Sequence, residues 1–154
     1  TIVEGGSGSD SFNLNMPSSL PERFEAGTLS APAIVSLLHG IKFVEKTGLD
    51  EIRYKLSKIE NRYVEIIGNL SDCTLSGHGN GIISFNVKNL SSEAVAYELN
   101  DRGICVRGGF HCSPLAHTAL GTEKTGAVRI SLSYMNSIKE TDKFYKAIKL
   151  IAAK

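Results

Sequence analysis

The densest concentration of reactive side chains is the run Arg107-Gly108-Gly109-Phe110-His111-Cys112-Ser113-Pro114. Two successive glycines allow backbone conformations closed to other residues, or let a ligand approach the main chain closely. Cys112 stands just ahead of a helix whose first turn holds Pro114. The free amides and positive dipole end of such a helix favour thiolate over thiol, and a thiolate there is a nucleophile. His111 and Arg107 would add positive potential. The alternative is a plain turn that contains a cysteine, since free cysteine is among the most buried residue types.

Arg129 is the second candidate. It falls on the polar side of an alternating strand, beside Ser131 and Ser133, where a rigidly held guanidinium can grip a carboxylate with two hydrogen bonds. An ordinary solvated strand arginine is the competing reading. Cys105, His111, Cys112 and His117 are close enough to raise zinc. They contain no C-x-x-C pair, and adjacent His111-Cys112 suits one tetrahedral ion poorly, so no metal site is assigned. The opening Gly5-Gly6-Ser7-Gly8-Ser9-Asp10-Ser11 is not a P-loop, because no Gly-Lys-Ser/Thr follows, but its amides could face an anion. His39 and His78 have no evident partners and read as structural or solvent-exposed. Cys105, in a short strand, reads as core.

The elements that must position these residues follow from periodicity. Residues 1–30 are loop chemistry, an arm that packs on something else. Residues 31–154 read as a domain. Ser30 and Pro32 begin a helix carrying Ile34, Leu37, Leu38, Ile41 and Val44, ended by Gly48. A second helix spans about Leu49–Leu70. Gly81–Val87 alternates as a strand, and Ser91 or Ser92 caps a helix running to Arg102, stopped by Gly103. Short strands are expected at Ile104–Arg107 and Ala127–Ser133, with a short helix at Ser113–Leu120 between them. A closing amphipathic helix covers Ser137–Ala152. The result is an α/β fold, a two-layer sandwich of helices on a small sheet.

Composition narrows the function classes. The chain has 154 residues, 42% of them apolar, with 17 basic and 16 acidic residues spread evenly, so no basic stripe speaks for nucleic acid. The longest apolar run, Ala31–Ile41, is interrupted by Ser36, His39 and Gly40, which argues against a membrane span. No basic-then-apolar leader appears. Three cysteines in a chain this large favour a reducing, cytoplasmic setting with a free thiol. The opening Thr-Ile-Val-Glu, without Met, suggests a piece of something longer.

Taken in order, Gly5-Gly6-Ser7-Gly8-Ser9, Arg23-Phe24-Glu25-Ala26-Gly27-Thr28, Gly103 to Cys112, Val128-Arg129-Ile130-Ser131 and Tyr134-Met135-Asn136 resemble the C-terminal half of class V aminotransferase-fold PLP enzymes. The Arg-x-Gly-x-His-Cys form resembles group II cysteine desulfurases, and Ser-Pro-Leu-Ala-His a NifS-like bacterial subgroup. The resemblance implies the C-terminal small domain of a fold-type I PLP enzyme, with a mainly antiparallel sheet and with residues 1–30 belonging to the large domain and dimer interface. It implies that Cys112 takes sulfur from L-cysteine as a persulfide, releasing L-alanine, before passing it to an acceptor protein or thiol. Arg129 would hold the substrate carboxylate, with Arg107 and His111 lining the same pocket. Thr28 and Gly27 would reach the cofactor phosphate of the other subunit in a homodimer. The lysine that carries PLP in that family, with its paired aspartate and stacking histidine, belongs upstream of Thr1. The chain alone is therefore expected to be inactive and to hold no covalent PLP. Another class V activity, transaminase or lyase, and a stand-alone dimerisation or docking module remain the alternatives.

Overall fold

Residues 3–9 and 12–153 are described by a computed structural model. Asp10 and Ser11, at the end of the glycine-rich opening, and the opening Thr1-Ile2 lie outside them. Contacts group the chain into residues 1–47 and residues 48–154. The sequence places the end of the arm at residue 30, whereas by contacts the first helix groups with the arm.

In the first unit a single 3₁₀ turn at Glu22–Phe24 precedes α1, Ala31–Thr47. The Ser30 carbonyl accepts the Ile34 amide, as an N-cap residue's carbonyl does, and Pro32 sits in the first turn where its missing N–H costs nothing. Upstream, the Gly27 amide bonds the Gly6 carbonyl at 2.7 Å, and Gly27 has φ +80°. No residue of α1 is buried.

The second unit begins with α2, Leu49–Gly68, which buries Ile59, Tyr63, Ile66 and Ile67 at helical spacing. Next come β1, Cys73–Gly79, and β2, Ile82–Val87, an antiparallel hairpin. Asn80 and Gly81, with φ +52° and +81°, make its two-residue turn, the pairing that matches right-handed strand twist. β1 is absent from the sequence expectation. Its Ser-Gly-His-Gly half lacks β-branched residues, and a bulge between Leu75 and Gly77 breaks its alternation. After α3, Ser92–Asp101, and α4, Pro114–Leu120, β3, Val128–Ser131, pairs antiparallel with β2. The sheet order is β1-β2-β3, and α5, Glu140–Ala152, closes the fold.

Alternation along β2 and β3 directs Ile83, Phe85, Val87, Val128 and Ile130 onto the helices. Phe144 of α5, fully buried, meets Tyr63 and Phe85 edge-on at ring separations of 5.0 and 5.9 Å. The other sheet face carries Ser84, Arg129 and Ser131. This is the expected α/β class with its mainly antiparallel sheet.

Three expectations need correction. The segment Ile104–Arg107 does not form a strand: only Arg107 bridges β3, through Arg129, because the Ile104 and Val106 amides turn back to Leu99 O and Asn100 Oδ1 of α3. Cys105 is exposed rather than core, since its neighbours Ile104 and Val106 are the ones packed inward. His78 does have a partner: its Nδ1 lies 2.8 Å from Glu60 Oε1. Glu60, only 7% exposed, uses its other oxygen to accept the Gly81 amide at 2.7 Å and so ties α2 to the hairpin turn. Among the described residues no helix is long and apolar enough to cross a membrane.

Candidate active site around Cys112

Arg107 and Arg129 face each other across a single antiparallel bridge. Arg107 N–H donates to Arg129 O at 3.1 Å, and Arg129 N–H donates to Arg107 O at 2.7 Å. β2 holds Arg129 from its other side, where Ser84 is its register partner. The guanidinium is thus carried on a backbone fixed on both flanks. Its Nε is buried and has no hydrogen-bond partner. A buried donor left unpaired in this way costs free energy unless a ligand or water completes it.

Beyond the bridge the chain enters the loop holding Cys112. Gly109 has φ +106°, and its carbonyl accepts the Ala127 amide at 3.1 Å. His111 and Cys112 both adopt left-handed backbone conformations, φ +53° and +57°, unusual for residues with side chains. They expose the Cys112 thiol on the outside of the turn. His111 Nε2 sits 3.0 Å from Ala127 O. A carbonyl only accepts, so Nε2 carries the proton, leaving Nδ1, which is buried and unpartnered, as a lone-pair acceptor.

Two expectations about the thiol's setting change here. Burial lowers the His111 pKa, the Arg129, Arg107 and His117 side chains oppose a further positive charge, and the Ala127 bond offsets this only in part. The ring is therefore neutral at pH 7, and positive potential near the loop comes from the arginines. The helix after Cys112 is also a modest source of free amides. α4 has seven residues, the Ser113 amide is already bonded to Phe110 O, and Pro114 has no N–H.

His117, considered in the sequence only as a zinc ligand, is 4% exposed and braces the loop. Its Nε2 bonds Phe110 O at 3.0 Å, and its Nδ1 accepts the Thr122 hydroxyl at 2.7 Å. Among the described residues no cluster of three His, Cys, Asp or Glu side chains is placed to hold a metal ion.

The three thiols differ in environment. Burial, with the nearby Asp72 charge, pushes the half-buried Cys73 thiol up from 9.0 to about 11. At neutral pH this leaves about a hundredfold less thiolate than an unperturbed cysteine would have. With substoichiometric iodoacetamide at pH 7, followed by digestion, Cys112 should label first, then Cys105, and Cys73 last. Labelling of Cys73 or Cys105 ahead of Cys112 in folded protein would contradict this reading of the loop.

The aminotransferase class-V family model matches residues 3–144. The chain belongs to the class-V aminotransferase family. Within it, the chain is 36% identical over 129 residues to the probable cysteine desulfurase of Pyrococcus abyssi, covering 80% of this chain and 31% of that protein. It is 32% identical over 134 residues to the cysteine desulfurase of Synechococcus elongatus, covering 85% of this chain and 21% of the relative. Among solved structures, the apo cysteine desulfurase of Thermococcus onnurineus superposes with a TM-score of 0.78 at 33% identity, over 99% of this chain and 38% of that one. A cysteine desulfurase of Escherichia coli superposes with a TM-score of 0.83 at 18% identity, over 96% of this chain and 37% of that one, and shows the shared fold. This class-V chain thus spans between about a fifth and two fifths of the length of these relatives.

PLP is the cofactor the family implies, and the residues present fit its surroundings at two places. In the second unit, the unpaired Arg129 Nε and His111 Nδ1 are a donor and an acceptor kept dry without a protein partner, as expected where a small polar group completes them. In the first unit, Thr28 is exposed next to a glycine turn whose own amide is already committed to Gly6.

Proposed function

We propose that this chain is the C-terminal part of a PLP-dependent cysteine desulfurase, converting L-cysteine to L-alanine and parking the sulfur on Cys112. The observation that carries the reading is the exposed Cys112 thiol on a left-handed turn whose Gly109 and His111 are bonded to Ala127, two residues before Arg129, whose buried Nε has no protein partner. The similarity to cysteine desulfurases over four-fifths of the chain supports it.

In this reading Arg129 receives the substrate carboxylate, with Arg107 at the pocket edge. His111 Nδ1, buried without a protein partner, is in this reading the lone pair that would serve a substrate ammonium or thiol proton. PLP, when bound, supplies the electron sink that makes bonds at the substrate's β-carbon labile. Cys112 attacks the substrate sulfur as thiolate: an S–S bond forms, the C–S bond breaks, and its electron pair stays with the carbon, which takes a proton on the way to alanine. The persulfide then passes its outer sulfur to an acceptor protein or thiol.

The protein is proposed to act as a homodimer in which Thr28, with the Gly27 turn, contacts the cofactor phosphate of the other subunit. Residues 1–30 are its arm and residues 31–154 its small domain. The three free cysteines suit a reducing, cytoplasmic location.

The test is product analysis with the full-length protein, PLP and L-cysteine. Alanine should form, and the peptide bearing Cys112 should gain the mass of one sulfur atom. Pyruvate and ammonia without that adduct would place the chain among class V lyases instead.

A further inference from the structure

The loop that presents Cys112 is fastened to the rest of the domain at several points, one of them a buried hydroxyl. Ser92, the first residue of α3, is 1% exposed, although Ser91 beside it does the capping, accepting the Ala94 amide at 3.2 Å. Ser92 Oγ accepts the Gly109 amide at 3.1 Å. Its own proton goes to Thr125 O at 2.6 Å, with Glu93 Oε2 farther away at 3.1 Å. One hydroxyl therefore joins the nucleophile loop to the segment Thr125–Ala127 that leads into β3 and Arg129.

The packing allows no slack. A Cβ on Gly108 would lie 2.5 Å from Ser92 O, and one on Gly126 would lie 2.7 Å from Ser92 Oγ and 2.9 Å from the Gly109 carbonyl. Both glycines are needed because main chain from the loop, from α3 and from residues 125–127 comes into direct contact. The same segment continues the chain of bonds: Ala127 donates its amide to Gly109 O and accepts His111 Nε2–H, while Asn86 of β2 donates to Gly126 O at 2.8 Å. The bonds that tie Gly109 and His111 to the segment entering β3 thus gather around Ser92, while His117 braces the loop separately through Phe110 O.

We infer that Ser92 is a positioning residue for Cys112, holding the loop at the distance from Arg129 at which the thiolate can reach a substrate sulfur. The inference rests on the desulfurase reading for its consequence in turnover, though not for the anchoring itself. Ser92 touches neither substrate nor reacting atoms. Its removal frees the Gly109 amide inside the protein, where nothing else satisfies it, and loosens the loop, which the Ala127 and His117 bonds then hold alone.

The experiment compares Ser92→Ala, and the milder Asn86→Ala, with wild type in the full-length protein. Hydrogen exchange of the Gly109 segment should quicken at least tenfold in Ser92→Ala and by a smaller factor in Asn86→Ala. Turnover at saturating cysteine should fall about tenfold or more in Ser92→Ala with KM little changed, because the carboxylate grip is untouched. Cys112 alkylation should stay as fast as in wild type or quicken, while Cys73 alkylation stays slow. Unchanged exchange at Gly109 in both variants, or a loss that raises KM as much as it lowers turnover, overturns the inference. If Ser92→Ala exposes Cys73 through unfolding, Asn86→Ala decides on the same exchange readout. These measurements separate the two ideas: quickened exchange with no sulfur on Cys112 in wild type sinks the desulfurase reading and leaves the anchor standing.

Discussion

Cys112→Ser in the full-length protein should lower alanine formation from cysteine by on the order of a thousandfold or more, with cysteine binding retained. The serine oxygen is close in size and takes the same left-handed backbone with no greater strain, and the position is exposed, so the fold loses nothing. What disappears is a group that is ionisable near neutral pH and whose atom can form a bond to sulfur and release it again. Neither remaining thiol can substitute. Cys73 is half-buried, with its thiol pushed up to about 11, and Cys105 lies on the far side of the Arg107–Arg129 bridge from the loop. Turnover within tenfold of wild type, or sulfur trapped on Cys73 or Cys105, would show that the loop is a structural turn.

How much of this was legible in the sequence depends on how far each feature reaches along the chain. The alternation Val128-Arg129-Ile130-Ser131 set its inward and outward faces correctly, because a two-residue period is a local property. The bridge between Arg107 and Arg129 was partly legible: the glycines mark a bend after Arg107, but the amides of Ile104 and Val106 turning to α3 do not show in a pattern of apolar residues. β1 was missed for a related reason. Cys-Thr-Leu-Ser-Gly-His-Gly is a poor strand by propensity, held by its partner β2 and by the Asn80-Gly81 turn, the one local signal that could have found it. Ser92 and His117 were not legible as supports of the Cys112 loop, nor Glu60 as the tie between α2 and the hairpin turn. Ser92 bonds groups 17 and 33 residues away, and Glu60 meets partners 18 and 21 residues away. His117 closes a loop only once Phe110 and Thr122 have been brought to it. The reactive residues announce themselves by type, whereas the residues that aim them are defined by tertiary contact.

Arg129→Ala in the full-length protein should lower kcat/KM for cysteine by a factor of about 30 to 1,000, the equivalent of roughly 2–4 kcal/mol for a charge-assisted bidentate grip. Most of the loss should appear as a raised KM, since the substrate carboxylate is held throughout. Arg129→Lys should recover little, because a single ammonium cannot reproduce the planar fork and does not place a donor where Nε lies buried. The main-chain bonds to Arg107 survive either change, so the strand and its neighbours stay in place. A second readout distinguishes a substrate grip from a merely structural arginine. Arg129 is one of the charges that disfavour protonation of His111, behind burial in importance. Removing it lets the His111 pKa rise back toward its ordinary 6.5, with burial still holding it down. Any step that needs the neutral ring then fails at a higher pH on the acid side, so the acid limb of the rate profile should move upward in Arg129→Ala. In Arg107→Ala it should move in the same direction, because the Arg107 charge acts on the ring with the same sign. A kcat/KM unchanged in Arg129→Ala would return Arg129 to an ordinary strand arginine. A large loss with no movement of the acid limb would keep the grip and remove His111 from the rate-limiting protonation.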